Sequence, residues 1–175
     1  ARWDVHAPPV MPAPIASRVR HGGFVHGAEL ADNAAFSISQ VEAASMDPCQ
    51  RLLLEHGYAA LHEASSGRVA LGGSLTGVFL GFSGTEFTQV LALSPAGGSV
   101  YAATGSTASI ASGRLSYVLD MHGPCITSDT ACSAALAACH AGLRALQRCE
   151  CTAGLTMGVT MMLAPSVGTG FAVAG

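Results

Sequence analysis

Cys132 stands where an apolar segment gives way to a helix-forming one, a position that suits a nucleophile. Residues 124–128 before it have the composition of a short buried strand, and helix-forming residues follow it as far as Gln147 or Arg148. Cys132 is therefore predicted to start a helix. Unpaired backbone N–H groups and the positive end of the helix dipole favour the thiolate there, and the same amides can hold an oxyanion. The alternative is a cysteine that packs as a small hydrophobic side chain.

The segments around this cysteine alternate between strand-like and helix-like patterns, which predicts an α/β fold with a largely parallel sheet. The predicted strands are residues 76–81, 124–128 and 155–163. The first of them is expected to be buried on both faces, and Pro165 is expected to end the last.

The predicted helices are residues 86–93, residues 110–119 and a helix that begins at Pro48. Asp47 suits the cap of that helix and Pro48 its first turn. Residues 1–45 are rich in proline and are predicted to form an extended, loop-rich lead-in.

Composition narrows the class of protein. The chain has 175 residues, of which 50% are hydrophobic, which is enough for one domain with its own core. Its formal net charge is −3, with eight arginines and no lysine, so no basic surface for nucleic acid is predicted. No window approaches the ~20 apolar residues of a membrane span. A cytoplasmic location is expected, and an organelle such as a plastid stays open.

The six cysteines have no framework spacing and are expected to be reduced thiols. Cys149 and Cys151 form the one close pair, with Cys139 and His140 a helix earlier, and this spacing does not favour a metal site. The glycine-containing segments match neither nucleotide-binding motif, so no bound cofactor is predicted. The start at Ala1 without methionine and the abrupt apolar end indicate an excerpt from a longer polypeptide.

Five segments in a fixed order carry a family resemblance. They are RWD (2–4) with GGF (22–24); AFSIS (35–39) with EA (42–43) and MDPCQRLLLE (46–55); GVFLG (77–81); ASGRLSY (111–117) with GP (123–124); and DTACS (129–133). With them the chain resembles the N-terminal part of a β-ketoacyl synthase, specifically the ketosynthase domain of a modular or type I polyketide synthase. The likeness covers nearly all of residues 1–175, which would be the N-terminal part of that domain, truncated before its C-terminal half.

The resemblance implies a thiolase-like fold and a decarboxylative Claisen condensation. Cys132 would accept an acyl group from a phosphopantetheine thioester on an acyl carrier protein, and its backbone amide would donate one of two oxyanion hydrogen bonds. A malonyl-type extender would then lose carbon dioxide and attack the acyl-enzyme. A homodimer and adjacent synthase domains are implied as partners. The family's two catalytic histidines, its lysine and its second oxyanion donor would lie beyond Gly175.

The sequence departs from the family pattern at several positions outside the nucleophile. They are Cys49 for glutamine, Ser106-Thr107 for asparagine-alanine, Ala134-Ala135 for a serine pair, and Thr160 for asparagine. These departures bear on subfamily and substrate more than on reaction class.

The other candidate residues are predicted to be structural. His140 follows Cys132 by eight residues on one helix, about 12 Å away, so it cannot bond the thiolate and is expected to be packed. Cys139 is also expected to be packed, and Arg114 and Tyr117 to fix their helix against the sheet or a subunit contact. The methionines Met157, Met161 and Met162 are expected in the core, with an acyl channel as the alternative.

Three hypotheses about function follow. The first is a condensing acyltransferase with Cys132 as nucleophile. The second is a catalytically silent segment with a role in dimerisation or scaffolding. The third is a thiolase-type acyltransferase without decarboxylation. A histidine pair downstream of this chain would favour the condensing acyltransferase, and its absence would favour the catalytically silent segment. A further catalytic cysteine would favour the thiolase-type acyltransferase.

Overall fold

A computed structural model describes residues 12–64, 67–84 and 86–174. The chain forms two compact units, one of residues 28–161 and one of residues 1–27 with 162–175. The second unit contains helices α1 (Ala13–Arg18) and α9 (Pro165–Ala174). Within it, Arg18 Nη1 donates a hydrogen bond of 2.7 Å to the Ala172 carbonyl oxygen.

The unit of residues 28–161 contains three strands and seven α-helices among the described residues. The helices are α2 (Gln40–Ser45), α3 (Pro48–Glu63), α4 (Arg68–Leu71), α5 (Glu86–Ala92), α6 (Ala102–Ser106), α7 (Ala108–Val118) and α8 (Ala134–Gln147). The strands are β1 (Thr76–Phe82), β2 (Cys125–Ser128) and β3 (Ala153–Val159). Short 3₁₀ turns lie at Pro95–Gly98 and Ala131–Ser133.

The strands form one parallel sheet in the order β2-β1-β3. The side chains of β1 alternate between its two faces. Val78 and Leu80 pack with residues of α3 and α7. Phe79 packs on the opposite face with Ala138 and Ala145 of α8. Because all seven residues of β1 are buried, the prediction of a strand covered on both faces is confirmed.

Several predicted elements are confirmed with small shifts of their ends. Helix α3 begins at Pro48, and Asp47 caps it by accepting a 2.7 Å hydrogen bond from the Cys49 amide. Helices α5 and α7 match the predictions for residues 86–93 and 110–119. The parallel α/β arrangement is also as predicted.

The prediction of a loop-rich lead-in over residues 1–45 is confirmed at residues 19–39, which contain no helix or strand, and is wrong at two short helices, whereas residues 1–11 lie outside the described residues. Helices α1 and α2 lie in this stretch. Helix α2 starts because Ser39 Oγ accepts a hydrogen bond of 3.2 Å from the Glu42 amide. Ser39 with Glu42 three residues later is the sequence signature of a capping box, and it outweighs the weak periodicity nearby.

Two strand predictions need correction. The strand predicted at residues 155–163 is β3, which begins at Ala153 and ends at Val159. Pro165 does not end this strand as predicted; it is the first residue of α9, a helix that was not predicted. The strand at residues 124–128 was predicted to be buried, but Cys125 is exposed and Ile126 is 44% exposed. Its exposure arises because β2 pairs only with β1 among the described residues and is an edge strand.

A buried polar network joins four helices. The side chain of Gln50 is 1% exposed, and its Nε2 donates to the carbonyl oxygens of Thr104 and Thr107, each at 3.2 Å. Arg114 Nε donates to Gln50 Oε1 at 3.1 Å, and Arg114 Nη1 forms an ion pair with Glu42. Arg114 is therefore structural, as predicted, but it holds α7 against α2 and α3 rather than against the sheet. Tyr117 is 88% exposed, so the prediction that it fixes α7 against the sheet is wrong, and the alternative of a subunit contact stays a prediction.

Replacement of Gln50 by methionine is expected to destabilise the fold. The change keeps the side-chain length but removes the two hydrogen bonds that Gln50 donates and the oxygen to which Arg114 Nε donates, which costs about 3 kcal/mol. Chemical denaturation of the domain that contains this segment measures the free energy of unfolding. Gln147→Met, at an exposed position on α8, is the control, and equal stability of the two variants would contradict the prediction.

No helix within the described ranges is long and apolar enough to cross a membrane.

Candidate active site

Cys132 lies in a 3₁₀ turn between the end of β2 and the start of α8. The turn covers Ala131–Ser133, and the α-helix begins only at Ala134. The prediction that Cys132 itself starts the helix is therefore corrected by two residues. The α-helix cannot begin at Ala131, because this residue has φ +52°, a left-handed conformation that α-helical residues do not adopt. The thiol is exposed.

Side chains on either side of Cys132 hold the turn. Asp129 Oδ1 accepts a 2.9 Å hydrogen bond from the Ala131 amide. Ser133 Oγ lies 2.9 Å from the Thr130 carbonyl oxygen and 3.0 Å from Thr130 Oγ1. These three contacts fix the backbone before and after Cys132, so the position of its thiol is set by local bonds as well as by the sheet.

The backbone bonds of the turn do not use the Cys132 amide. They run from the Ser133 amide to the Thr130 carbonyl oxygen, at 3.3 Å, and from the Ala134 amide to the Ala131 carbonyl oxygen. The first amides of a helix have no acceptor within that helix. The hydrogen bonds of the turn therefore do not use the Cys132 N–H, and an amide of this kind can donate to an oxyanion on a carbonyl under attack.

Two glycines let the start of α8 approach the sheet closely. A Cβ at Gly81 of β1 would lie 2.4 Å from the Ala135 nitrogen, and one at Gly158 of β3 would lie 2.6 Å from Ala135 Cβ. Both distances are too short for real atoms, so larger residues would push α8 away. The substitution of Ala134-Ala135 for the serine pair keeps small side chains at this contact.

The other candidates on α8 do not join the site. His140 and Cys139 were predicted to be packed, but both are exposed. The reason is that α8 buries Ala134, Ala138, Gly142 and Ala145 against the sheet, and the two residues lie outside that stripe. No group of three possible metal ligands occurs within the described residues, and all six cysteines are unpaired.

Cys49 contrasts with Cys132 because its thiol is buried, with 3% of the side chain exposed. Burial, with the neighbouring Asp47 carboxylate, raises the pKa of the Cys49 thiol well above its ordinary range. Burial also raises the pKa of Asp47, although its bond from the Cys49 amide opposes the shift. A thiol that resists ionisation is a poor nucleophile, so the departure from glutamine at this position creates no second reactive cysteine.

The stability of the fold is expected to fall at alkaline pH because of Cys49. In the unfolded chain this thiol ionises above about pH 8.5, whereas in the folded protein it stays protonated. The folded state therefore binds one more proton, and the free energy of unfolding decreases by about 1.4 kcal/mol for each pH unit above that value. Denaturation between pH 7 and 10 measures the slope. Cys49→Ser should have a shallower slope, and parallel slopes would contradict the assignment.

The remaining predicted residues do not all lie in the unit of residues 28–161. Met157 and Met161 are half-buried against the core, as predicted. Met162 belongs to the other unit and is 51% exposed, so its core prediction is wrong. Thr160 Oγ1 donates a hydrogen bond of 2.9 Å to the Ser83 carbonyl oxygen, which connects the residues that follow β3 and β1.

A small cavity in the same unit does not serve Cys132. Its volume is about 10 Å³, and its lining includes Phe36, Met46, Arg51 and Leu54 but not Cys132. This volume is close to that of one water position. An acyl chain cannot be accommodated there.

Comparisons with known proteins identify the family to which this geometry belongs. The family model of the β-ketoacyl synthase N-terminal domain matches residues 1–175. The chain belongs to the β-ketoacyl synthase family. The β-ketoacyl synthase segment is 44% identical over 152 residues to the spectinabilin polyketide synthase system protein NorC of Streptomyces orinoci, covering 87% of the chain and 7% of that protein. It is 41% identical to the pikromycin polyketide synthase component PikAII of Streptomyces venezuelae, covering 94% of the chain and 4% of that protein.

Solved ketosynthase structures confirm the thiolase-like fold that the sequence predicts. The ketosynthase from module 6 of the bacillaene synthase of Bacillus subtilis 168 superposes with a TM-score of 0.78 at 32% identity. That match covers 87% of this β-ketoacyl synthase segment and 26% of the solved chain. The segment therefore spans about a quarter of a solved ketosynthase chain and less than a tenth of these curated relatives.

The sequence reasoning missed two features of the site. One is the hydrogen bond from the Ala131 amide to the Asp129 side chain. The sequence could have indicated it, because an aspartate side chain commonly accepts a hydrogen bond from the backbone amide two residues later. The other is the pair Gly81 and Gly158, which no local signal connects to α8.

Proposed function

We propose that Cys132 is the acyl-accepting nucleophile of a ketosynthase domain, and that residues 1–175 form the N-terminal part of that domain. The observation that carries the proposal is the exposed Cys132 thiol, held on a tight turn at the carboxyl end of β2 with its own amide beside it. Family membership and the polyketide synthase relatives support the reaction class.

In the first half of the reaction, Cys132 Sγ attacks the carbonyl carbon of an acyl thioester carried on the phosphopantetheine of an acyl carrier protein. The carbonyl oxygen becomes an oxyanion, and the Cys132 amide donates a hydrogen bond to it. The bond from carbon to the pantetheine sulfur then breaks, and the pantetheine leaves as a thiol after taking up the proton that the Cys132 thiol gave up. The acyl group remains as a thioester on Cys132.

In the second half, a malonyl-type thioester on the carrier protein loses carbon dioxide, and the electron pair of the broken bond forms an enolate. The enolate carbon attacks the acyl carbonyl on Cys132. A new carbon–carbon bond forms, the bond to Cys132 Sγ breaks, and the product is a 3-oxoacyl thioester on the carrier protein. The histidines implied by the resemblance would supply the remaining interactions from outside this segment.

Mass spectrometry of the full-length protein tests the nucleophile directly. After incubation with a short-chain acyl-pantetheine thioester, the acyl mass is expected on Cys132. Trypsin should release residues 115–144 as one peptide, because Arg114 and Arg144 flank it without an internal basic cleavage site. Fragmentation of that peptide separates Cys132 from Cys125 and Cys139. Acylation of either neighbour, or none at all, would contradict the proposal.

The partners and location follow from the same proposal. The domain would work as a homodimer in the cytoplasm, next to other synthase domains of its polypeptide, with a carrier protein as substrate donor. Light scattering of the full-length protein measures the oligomeric state. A monomer that still loads Cys132 would remove the dimer from the proposal and leave the nucleophile in place.

A further inference from the structure

The loop that carries Cys132 is anchored at both ends on one residue of the central strand. Ser128, the last residue of β2, pairs with Gly81 in the parallel register. Ala134, the first residue of α8, packs against the same glycine, where a Cβ would lie 2.5 Å from the Ala134 carbonyl carbon. Residues 129–133 therefore connect two fixed points, and the direction of Cys132 depends on the dihedral angles inside this loop.

One of those angles is unfavourable without support. Ala131, directly before Cys132, has φ +52°, where the Cβ of an L-residue crowds the backbone. An alanine side chain has no polar atom with which to offset that crowding. The support comes from Asp129, whose Oδ1 accepts the Ala131 N–H at 2.9 Å. This bond fixes the peptide plane between Thr130 and Ala131, and so fixes the plane from which φ of Ala131 is measured.

We propose that Asp129 is a positioning residue for Cys132. Its carboxylate holds Ala131 in the left-handed conformation, and the thiol and amide of Cys132 thereby keep the arrangement that acyl transfer needs. Asp129 touches no reacting atom. The inference rests on the proposed function of Cys132 as nucleophile.

The other contacts of the loop do not replace this bond. Ser133 Oγ reaches back to Thr130 and closes the far side of the turn, but neither of these contacts involves the Ala131 amide. The Thr130 carbonyl belongs to the same peptide group as the Ala131 N–H, so Ser133 restrains one end of this peptide. Within the described residues, the Asp129 carboxylate is the side chain that accepts from its other end, the Ala131 N–H. A carboxylate here also places a negative charge near the thiol, so the test must separate the hydrogen bond from the charge.

The test compares Asp129→Ala with Asp129→Asn in the full-length protein, using transfer of an acyl group from an acyl-pantetheine thioester to Cys132. Asp129→Ala is expected to lower kcat about 30-fold with KM changed less than about twofold, because a misplaced nucleophile still allows substrate to bind. Asp129→Asn is expected to stay within about threefold of wild type, because its amide oxygen accepts the same bond.

A second replacement tests the role of the Ala131 conformation. Glycine adopts a positive φ without support, so Ala131→Gly introduced into Asp129→Ala is expected to restore most of the lost kcat. Asp120→Ala is the matched control, since Asp120 is an exposed aspartate that also has a positive φ, of 52°, and contacts His122. It should load at the wild-type rate, and thermal unfolding of every variant shows whether the fold is intact.

Two results would overturn the inference. Asp129→Ala loading at the wild-type rate would show that the bond does not position Cys132. Asp129→Asn falling as far as Asp129→Ala would show that the charge, rather than the accepted bond, matters. Failure of the proposed function is separate, because it would appear as absent acylation of Cys132 in the wild-type protein itself.

Discussion

Cys132→Ala should abolish acyl loading of the full-length protein. Alanine removes the sulfur that forms the thioester while leaving the backbone amide and the turn in place. Without that sulfur the acyl group has no atom on which to form the thioester, so the acyl group bound to the protein is expected to fall to the background level. Transfer of a radiolabelled acyl group from a pantetheine thioester measures the loss. The fold should remain intact, because Cys132 is exposed and makes no core contact.

Cys139→Ala is the matched control for this experiment. Cys139 is exposed like Cys132 and lies on α8, the helix that Cys132 precedes. It lacks the turn and the adjacent free amide, so its removal should leave loading at the wild-type level. Retained loading in Cys132→Ala would remove that cysteine from the mechanism. Equal losses in both variants would indicate a general effect on α8 rather than loss of a nucleophile.

The sequence predicted the parts of the fold that depend on local signals. The cap at Asp47, the proline at the first turn of α3 and the apolar run of β1 each act within a few residues, and each appears where it was expected. The approximate position of Cys132 was predictable for the same reason, because a strand followed by a helix requires a turn between them.

The exposure of residues on α8 was not predictable, because the helix reverses the usual pattern. Its buried stripe consists of alanines and a glycine, whereas Leu136 is 73% exposed and Leu143 is 53% exposed. Small side chains are needed along this stripe because even a Cβ at Gly142 would lie 3.0 Å from the Phe79 ring. Hydrophobicity alone assigns leucine to the core, and only the tertiary contact with Phe79 shows which side faces the sheet.

The close approach of α8 to β1 gives the second prediction with a large effect. A Cβ at Gly81 would lie 2.4 Å from the Ala135 nitrogen and 2.5 Å from the Ala134 carbonyl carbon. Both are backbone atoms, which cannot move without shifting the helix. Gly81→Ala is therefore expected to destabilise the domain by about 3 kcal/mol or more. Chemical denaturation of the domain that contains this segment measures the change.

The same substitution should also lower acyl loading, because Gly81 contacts the first residues of α8 and pairs with Ser128 at the end of β2. Moving either end of residues 129–133 displaces Cys132 from the position that the turn gives it. Gly113→Ala is the control. A Cβ at Gly113 meets no atom within 4 Å, and the residue lies inside α7. Alanine favours a helix over glycine by about 1 kcal/mol, so this variant should be slightly stabilised and fully active. If Gly81→Ala were as stable and as active as Gly113→Ala, the close packing of α8 on β1 could not be what positions the nucleophile.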